Sequence, residues 1–293
     1  MDGKDREYLM KIETFNQLVS KQVVLLDGAM GSNLMLRGMP KGVCTEVWVS
    51  EHPQIQMDIQ KEYVEAGSQI IYAPTFQANR ISLGNHGLGD QVAALNKKLV
   101  AVAKEAAGKD AYVAGDISST GRYTEEYSVL FDVYKEQMEA LVEAGVDLFA
   151  IETMIGMDET MAAIDAAKAV SDLPIICTMT TEADGSLLLG GNIYEACAAY
   201  EAMGASAVGL NCSLGPDQLE AIVRGIRNCV NIPIVMKPNA GIPYISDKGE
   251  AIYSMNAEDF GRHMKVLIEA GAGIVGGCCG TNASYIRALK KQI

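Results

Sequence analysis

Eight short runs of β-branched and apolar residues recur along this chain, at 23–29, 69–76, 111–117, 148–154, 174–181, 207–213, 233–239 and 273–280. Between them lie longer stretches with helical spacing and good helix formers, at 54–66, 91–107, 134–144, 157–169, 193–203, 216–228 and 257–270. Helix and strand therefore alternate almost from end to end. Four of the helical stretches close on the same signal, Glu65-Ala66-Gly67, Glu143-Ala144-Gly145, Ala202-Met203-Gly204 and Glu269-Ala270-Gly271, where glycine takes the left-handed conformation that ends a helix. A parallel strand needs a crossover helix to return beside its neighbour, and eight such units close into a (β/α)8 barrel.

Composition agrees. Hydrophobic residues make up 49% of the chain and aromatics only 6%, which suits helices packed on a sheet better than an all-β sandwich. A doubly wound open sheet is the alternative, but Asp27-Gly28-Ala29-Met30-Gly31-Ser32 after the first run lacks the spacing of a dinucleotide-binding turn. At 293 residues the expected architecture is one α/β domain, a single (β/α)8 barrel over 1–293. Residues 7–20 read as an extra amphipathic helix placed to cover the N-terminal mouth of that barrel.

A formal charge of −13 and a pI near 4.7 argue against nucleic acid or an anionic membrane surface as a partner, since both call for a basic patch. No apolar run has the length of a bilayer span, and Met1-Asp2-Gly3-Lys4-Asp5-Arg6 does not start a secretory signal. A cytoplasmic protein is expected. Its seven cysteines, 44, 177, 197, 212, 229, 278 and 279, then read as free or metal-bound thiols rather than a disulfide framework.

Barrel chemistry sits at the C-terminal ends of the strands, and polar residues gather there: Asp27, Thr75, Asp116, Glu152, Thr180, Thr181, Asn211, Cys212, Lys237, Asn239, Cys278 and Cys279. Cys278 and Cys279 alone could fill a tight strand end as small apolar side chains, or form a strained redox pair. Cys212, at the end of the sixth strand, changes the balance because strands six and eight of a closed barrel lie close together. Three thiolates select Zn²⁺ and leave a fourth tetrahedral position open. Four-cysteine iron–sulfur ligation has less support, because the other cysteines lie on other elements. Zinc with three thiolates carries net charge −1, which makes it a poor Lewis acid for hydrolysis and a good carrier for a substrate thiolate. The matching reaction is S-alkylation.

Asp27 and Glu152 end the first and fourth strands. They can cap a helix or pair with a lysine or arginine of the barrel, or else they can hold the ammonium of an amino acid whose carboxylate meets the N–H groups of Gly28-Ala29.

The ordered motifs Asp27-Gly28-Ala29-Met30-Gly31, Pro74-Thr75-Phe76-Gln77-Ala78-Asn79-Arg80, Glu152-Thr153, Gly209-Leu210-Asn211-Cys212, Lys237-Pro238-Asn239-Ala240-Gly241-Ile242-Pro243 and Gly276-Gly277-Cys278-Cys279-Gly280-Thr281 resemble the homocysteine S-methyltransferase family. Within it they are most similar to the homocysteine-binding barrel of cobalamin-dependent methionine synthases, from about residue 20 onward. The resemblance implies zinc on Cys212, Cys278 and Cys279, with the homocysteine sulfur as fourth ligand. It also implies contacts to the amino-acid part from Asp27, Gly28 and Glu152, with Phe76 near the substrate and Asn239 near the zinc face. Phe76 reads nearly as well as an ordinary core aromatic.

Two departures matter for the methyl donor. The third run ends Asp116-Ile117-Ser118-Ser119-Thr120-Gly121, where family members often carry Gly-Pro in place of Ser118-Ser119, so the rim facing the donor is expected to differ. Cys44, Gln77 and Thr153 stand where the betaine-using branch has aromatics around a quaternary ammonium, which disfavours betaine. Because the chain stops soon after Cys279 while the synthases continue into folate, cobalamin and activation domains, the donor is expected on another molecule. The leading expectation is a separate methyl-corrinoid protein, carrying methylcobalamin, that methylates homocysteine to methionine. A stand-alone enzyme using S-methylmethionine or S-adenosylmethionine is the second, and a zinc- and thiol-binding subunit of a corrinoid complex the third.

Overall fold

The computed structural model describes residues 10–245 and 251–293. Its strands are β1 Val24–Leu25, β2 Ile70–Tyr72, β3 Tyr112–Ile117, β4 Leu148–Met154, β5 Ile175–Met179, β6 Ala207–Asn211, β7 Ile234–Lys237, the pair β8 Pro243–Ile245 and β9 Ala251–Tyr253, and β10 Ala272–Val275. Eight of them form one sheet in the order β1-β10-β7-β6-β5-β4-β3-β2, with every pairing parallel. The seam between β1 and β2 is closed partly by side chains. Gln69 N–H donates to Leu25 O at 2.8 Å, and Tyr72 N–H donates to the Asp27 carboxylate at 2.7 Å. The (β/α)8 barrel expected from the alternation is the fold; seven of the expected runs contain one of its strands, and the eighth, 273–280, overlaps β10, which begins one residue earlier at Ala272.

Two layers of packing hold it. One lies between the barrel and its helices and takes in Tyr63, Leu99, Tyr134, Ile164, Tyr200 and Phe260. The other fills the barrel itself, with Val24, Leu26, Ile70, Tyr72, Leu148, Ile176, Val235 and Ile274 around the small Ala114, Ala150 and Ala207. Side chains alternate in and out along a strand, so these inward residues mark a register that can be followed upward. Two residues past Ala114, Ala150 and Val235 come Asp116, Glu152 and Lys237, and four past Ala207 comes Asn211. All four are buried. The interior is thus apolar at the bottom, small in the middle and polar at the C-terminal end.

The bottom is plugged. Met10 and Phe15 belong to the interior cluster, and Leu18 and Val19 pack against it, so the helix Ile12–Lys21 covers the N-terminal mouth as expected. Residues 7–9 of the expected helix lie outside the described residues.

Other boundaries differ from expectation for local reasons. The helix expected at 134–144 runs Tyr127–Ala144; its first turns expose Tyr127 and Val129 and so show no apolar period. The stretch 216–228 divides into a 3-10 turn, Pro216–Gln218, and the helix Glu220–Arg227. A helix that the sequence allows to begin within 28–34 forms at Gly31–Leu36, whereas the short helices at Thr45–Glu51 and Arg80–Gly84, and the β8–β9 hairpin, were not anticipated. Glycines 67, 145, 204 and 271 end their helices at positive φ, as their sequence signal required. Among the described residues no helix is long and apolar enough to cross a membrane.

Candidate metal centre and substrate pocket

Gly209 stands where a Cβ would fall 1.9 Å from the Val235 carbonyl oxygen. Only glycine lets β6 lie this close to β7, and β6 then delivers Asn211 and Cys212 to the rim. Cys212 has φ 50° and Thr153, beside Glu152, has φ 57°. Left-handed backbone in a non-glycine residue costs about 1–3 kcal/mol and persists only where the surroundings enforce it. Here Cys212 N–H donates to Lys237 O at 3.2 Å, and Thr153 N–H donates to Asn211 Oδ1 at 2.8 Å. Across the barrel, Thr281 Oγ1 donates to Cys278 O at 2.7 Å and accepts from Ala29 N–H at 3.1 Å. That ties the turn after β10 to the loop after β1.

These two anchored turns bring the sulfurs of Cys212, Cys278 and Cys279 within 4.8 Å of one another, with Cys212 and Cys279 at 3.5 Å. Three thiolates around a tetrahedral zinc with bonds of about 2.3 Å stand about 3.8 Å apart, so the cluster has the size and donor chemistry of such a site. Hydrogen bonds from Cys212 and Cys278 hold the Cys279 thiol down to about 3. Cys278 is pushed well up by its hydrogen bonds to Cys212 and Cys279 and by burial. Tyr253, reaching in from the β8–β9 hairpin, donates a further hydrogen bond to Cys279. Cys177 and Cys197 are buried in the outer core and Cys229 is exposed, so none of them joins the cluster.

Beside the thiols lies a small cavity of about 40 Å³, lined by Asp27, Gly28, Ala29, Met30, Tyr72, Asp116, Glu152, Lys237 and Cys278. Lys237 sits at its heart. Its Nζ is 3.0 Å from Asp27 Oδ1, 3.5 Å from Glu152 Oε2 and 3.9 Å from the centre of the Tyr72 ring. Asn211 fixes Glu152 by donating to its Oε2 at 3.2 Å, while accepting from Thr178 Oγ1 at 2.9 Å. Burial raises the carboxyls of Asp27 and Glu152, and Lys237 pulls both back. Asp116 is raised well above the usual carboxylate range by burial and then by the charge of Glu152.

Of the residues singled out in the sequence, the structure brings Asp27, Gly28, Glu152 and Cys278 to this one cavity. Asp27 does not cap the helix that follows it; its carboxylate serves Tyr72 and Lys237 instead. A Cβ on Gly28 would fall 2.7 Å from the Tyr63 ring. The Ala29 N–H, expected to be open to a carboxylate, is already taken by Thr281. Asn239 bridges the cysteine-bearing segments: its Nδ2 donates to Ser213 O at 3.3 Å, the next residue's N–H donates to Cys279 O, and its buried Oδ1 has no hydrogen-bond partner. Phe76 is half-buried in the turn after β2 and belongs to neither core cluster.

Lys237 and Asp116 were visible only as polar residues at strand ends. The inward register that places them beside Glu152 was the available signal. Around the departing Ser118-Ser119 segment, buried Glu159 accepts hydrogen bonds from Ser119 Oγ, Thr120 N–H and Tyr134 Oη at 2.7–2.8 Å, which pins this part of the rim.

Exposed apolar side chains recur on the segments that follow several strands. Met35, Leu36, Val43, Tyr123, Tyr127, Val129, Leu188, Leu189, Ile242, Tyr244 and Ile252 are all exposed, and all stand on segments that leave the C-terminal ends of β1, β3, β5 and β7.

Fold and site together define a class, a barrel enzyme whose strand ends present three converging thiols beside a buried acidic pocket. Comparison narrows it: the homocysteine S-methyltransferase profile matches residues 24–293, and the chain belongs to that family. It is 30% identical over 298 residues to the methionine synthase of Mycobacterium tuberculosis (strain ATCC 25618 / H37Rv), a match covering 94% of this chain and 25% of that protein. The methionine synthase of Mycobacterium leprae (strain TN) is 29% identical over 301 residues with the same coverage. The chain thus spans about a quarter of the length of these relatives. Among solved structures, the oxidized form of the homocysteine methyltransferase MmuM from Escherichia coli superposes with a TM-score of 0.82 at 24% identity, covering 95% of this chain and 99% of that one. Its metallated form gives 0.80 at 24% identity, with the same coverage. These likenesses support the fold.

Proposed function

We propose that the chain is a zinc-dependent, cytoplasmic S-methyltransferase that converts homocysteine to methionine with a methyl group from a methyl-corrinoid borne by a partner protein. The observation that carries this is the convergence of Cys212, Cys278 and Cys279 within 4.8 Å beside a cavity walled by buried carboxylates. Those three sulfurs would hold the zinc. Zinc bound there lowers the proton affinity of a substrate thiol, which at its ordinary pKa of about 8.5 is mostly protonated at neutral pH. The rest is the work of the chain. Glu152, fixed by Asn211, and Asp27, held by Lys237, make the negative wall that recognises the substrate ammonium. The peptide at Gly28, where no side chain fits, receives the substrate carboxylate. Asn239 and Phe76 border the sulfur end.

Methyl transfer to a thiolate moves no proton, so Glu152 is assigned to binding rather than to acid or base chemistry. Glu152→Gln is therefore expected to weaken homocysteine binding by on the order of 10- to 100-fold with zinc content unchanged. Titration calorimetry alongside metal analysis checks this, and normal affinity would return Glu152 to a purely structural part.

The donor assignment rests on the apolar rim. Net negative charge suits either a soluble protein or a cationic sulfonium such as S-methylmethionine or S-adenosylmethionine, but eleven exposed apolar side chains around the open mouth suit a macromolecular surface. The test is a single turnover of homocysteine with free methylcobalamin or a methylcobalamin-loaded carrier, followed through loss of the methyl–cobalt absorbance. Transfer is the expected result. No transfer, together with rapid turnover of S-methylmethionine, would promote the sulfonium reading.

A further inference from the structure

The β8–β9 hairpin returns to the cysteine cluster and is fastened to it. Gly241, at φ 84°, turns the chain beside Ser254 and Met255. Met255 N–H donates to Ala240 O at 3.0 Å, and Ala240 N–H donates to Cys279 O at 2.9 Å. Tyr285, edge-on to buried Phe260 with ring centres 5.5 Å apart, donates from its Oη to Met255 O at 2.7 Å. Within this frame Tyr253 pairs with Pro243 across the hairpin and lays its ring on Gly280, where a Cβ would overlap it. Its hydroxyl donates to the Cys279 sulfur.

Neither Tyr253 nor Cys279 is among the residues that line the cavity, so this contact is not part of substrate recognition. The three cysteines pose a different problem. Once a substrate thiolate joins them around a zinc ion, two positive charges face four negative ones, and every sulfur competes for the same methyl group. Methylation of a cysteine would turn a ligand thiolate into a weakly donating thioether and end the cycle. A hydrogen bond to a thiolate occupies a lone pair and draws charge off the sulfur, which lowers its nucleophilicity. Cys278 is turned to the cavity, whereas Cys279 is the thiol that the rim-side hairpin reaches.

We infer that Tyr253 is a positioning residue that protects Cys279 from methylation, so that the methyl group goes to the substrate sulfur instead. This rests on the reading of the three cysteines as zinc ligands in a methyltransferase. The step held back is a simple substitution. A Cys279 lone pair would form the S–CH3 bond while the bond from the methyl carbon to its leaving group breaks, and that group departs with the electron pair. The Tyr253 hydroxyl keeps its proton throughout and only competes for the lone pair.

The test exposes zinc-loaded protein, without homocysteine, to methyl iodide, whose leaving group is iodide, and locates S-methylcysteine by peptide mass spectrometry. Tyr253→Phe keeps the ring on Gly280 and removes the hydroxyl. It should raise the rate at Cys279 by on the order of 10-fold, with Cys212 and Cys278 unchanged and the starting zinc content equal to that of wild type. In cobalt-substituted protein the same variant should move the sulfur-to-metal charge-transfer band to longer wavelength, because the Cys279 sulfur becomes richer in electrons. A role confined to packing would leave the band in place. Wild-type rates at Cys279 with an unmoved band in Tyr253→Phe, or equal acceleration at all three cysteines, would overturn the inference. A wild-type protein that binds no zinc would overturn the metal reading, and this inference with it.

Discussion

Cys279→Ser is expected to strip the protein of zinc, from about one ion per chain to a small fraction of that, and to lower methyl transfer by on the order of 1000-fold or more. The reason is geometric. The cluster has three ligands and no spare: the remaining cysteines lie on other elements, two of them in the outer core, so no neighbouring thiol can substitute. A serine hydroxyl is a much weaker zinc donor than a thiolate. Metal analysis after dialysis, with the exposed Cys229→Ser as control, decides the matter. Stoichiometric zinc and full activity in Cys279→Ser would remove the metal assignment.

Lys237→Met should be the most destabilising single change in the barrel interior, by about 3–5 kcal/mol at neutral pH, because removing one partner of a buried ion pair strands the other. Here it strands two, Asp27 and Glu152. The pH dependence has a definite sign. Burial already raises both carboxyls above their ordinary range with Lys237 present, and Lys237 is what pulls them back. In the variant they bind protons more tightly folded than unfolded, so stability relative to wild type falls as pH rises through the raised folded values. The deficit is full above those values and vanishes below the unfolded ones, near 4. Denaturant melts of both proteins at several pH values measure the difference. A deficit independent of pH would mean that lost packing against Tyr72, rather than stranded charge, is the cause.

Both predictions show what the sequence could and could not carry. The eight strands were legible because a buried parallel strand reads as a short apolar run between glycine-ended helices. The three cysteines were legible because a closed barrel brings β6 and β10 near one another, whatever the details. Lys237 was harder. Its partners lie 210 and 85 residues away in the chain, and only the shared inward register places it between Asp27 and Glu152. The β8–β9 hairpin left no usable pattern, since its short strands pair with each other and are held by contacts such as Met255 N–H to Ala240 O at 3.0 Å. Tyr253, carried to Cys279 by that hairpin, was missed with it. Ala29 shows the opposite error: an N–H that looks open beside glycine in the sequence is occupied by a threonine hydroxyl 252 residues away.

The plug formed by Met10, Phe15 and the helix Ile12–Lys21 at the foot of the barrel has a kinetic meaning. On the proposed function, a barrel with its floor sealed would work as a last-in, first-out store. The thiol would have to be loaded before a donor protein settled on the rim, and methionine would leave only after that protein had lifted away. A donor that docks on an empty barrel forms an idle complex that blocks the next thiol, so tight docking slows the cycle. On the proposed reading, the rim holds its partner long enough for one transfer and no longer.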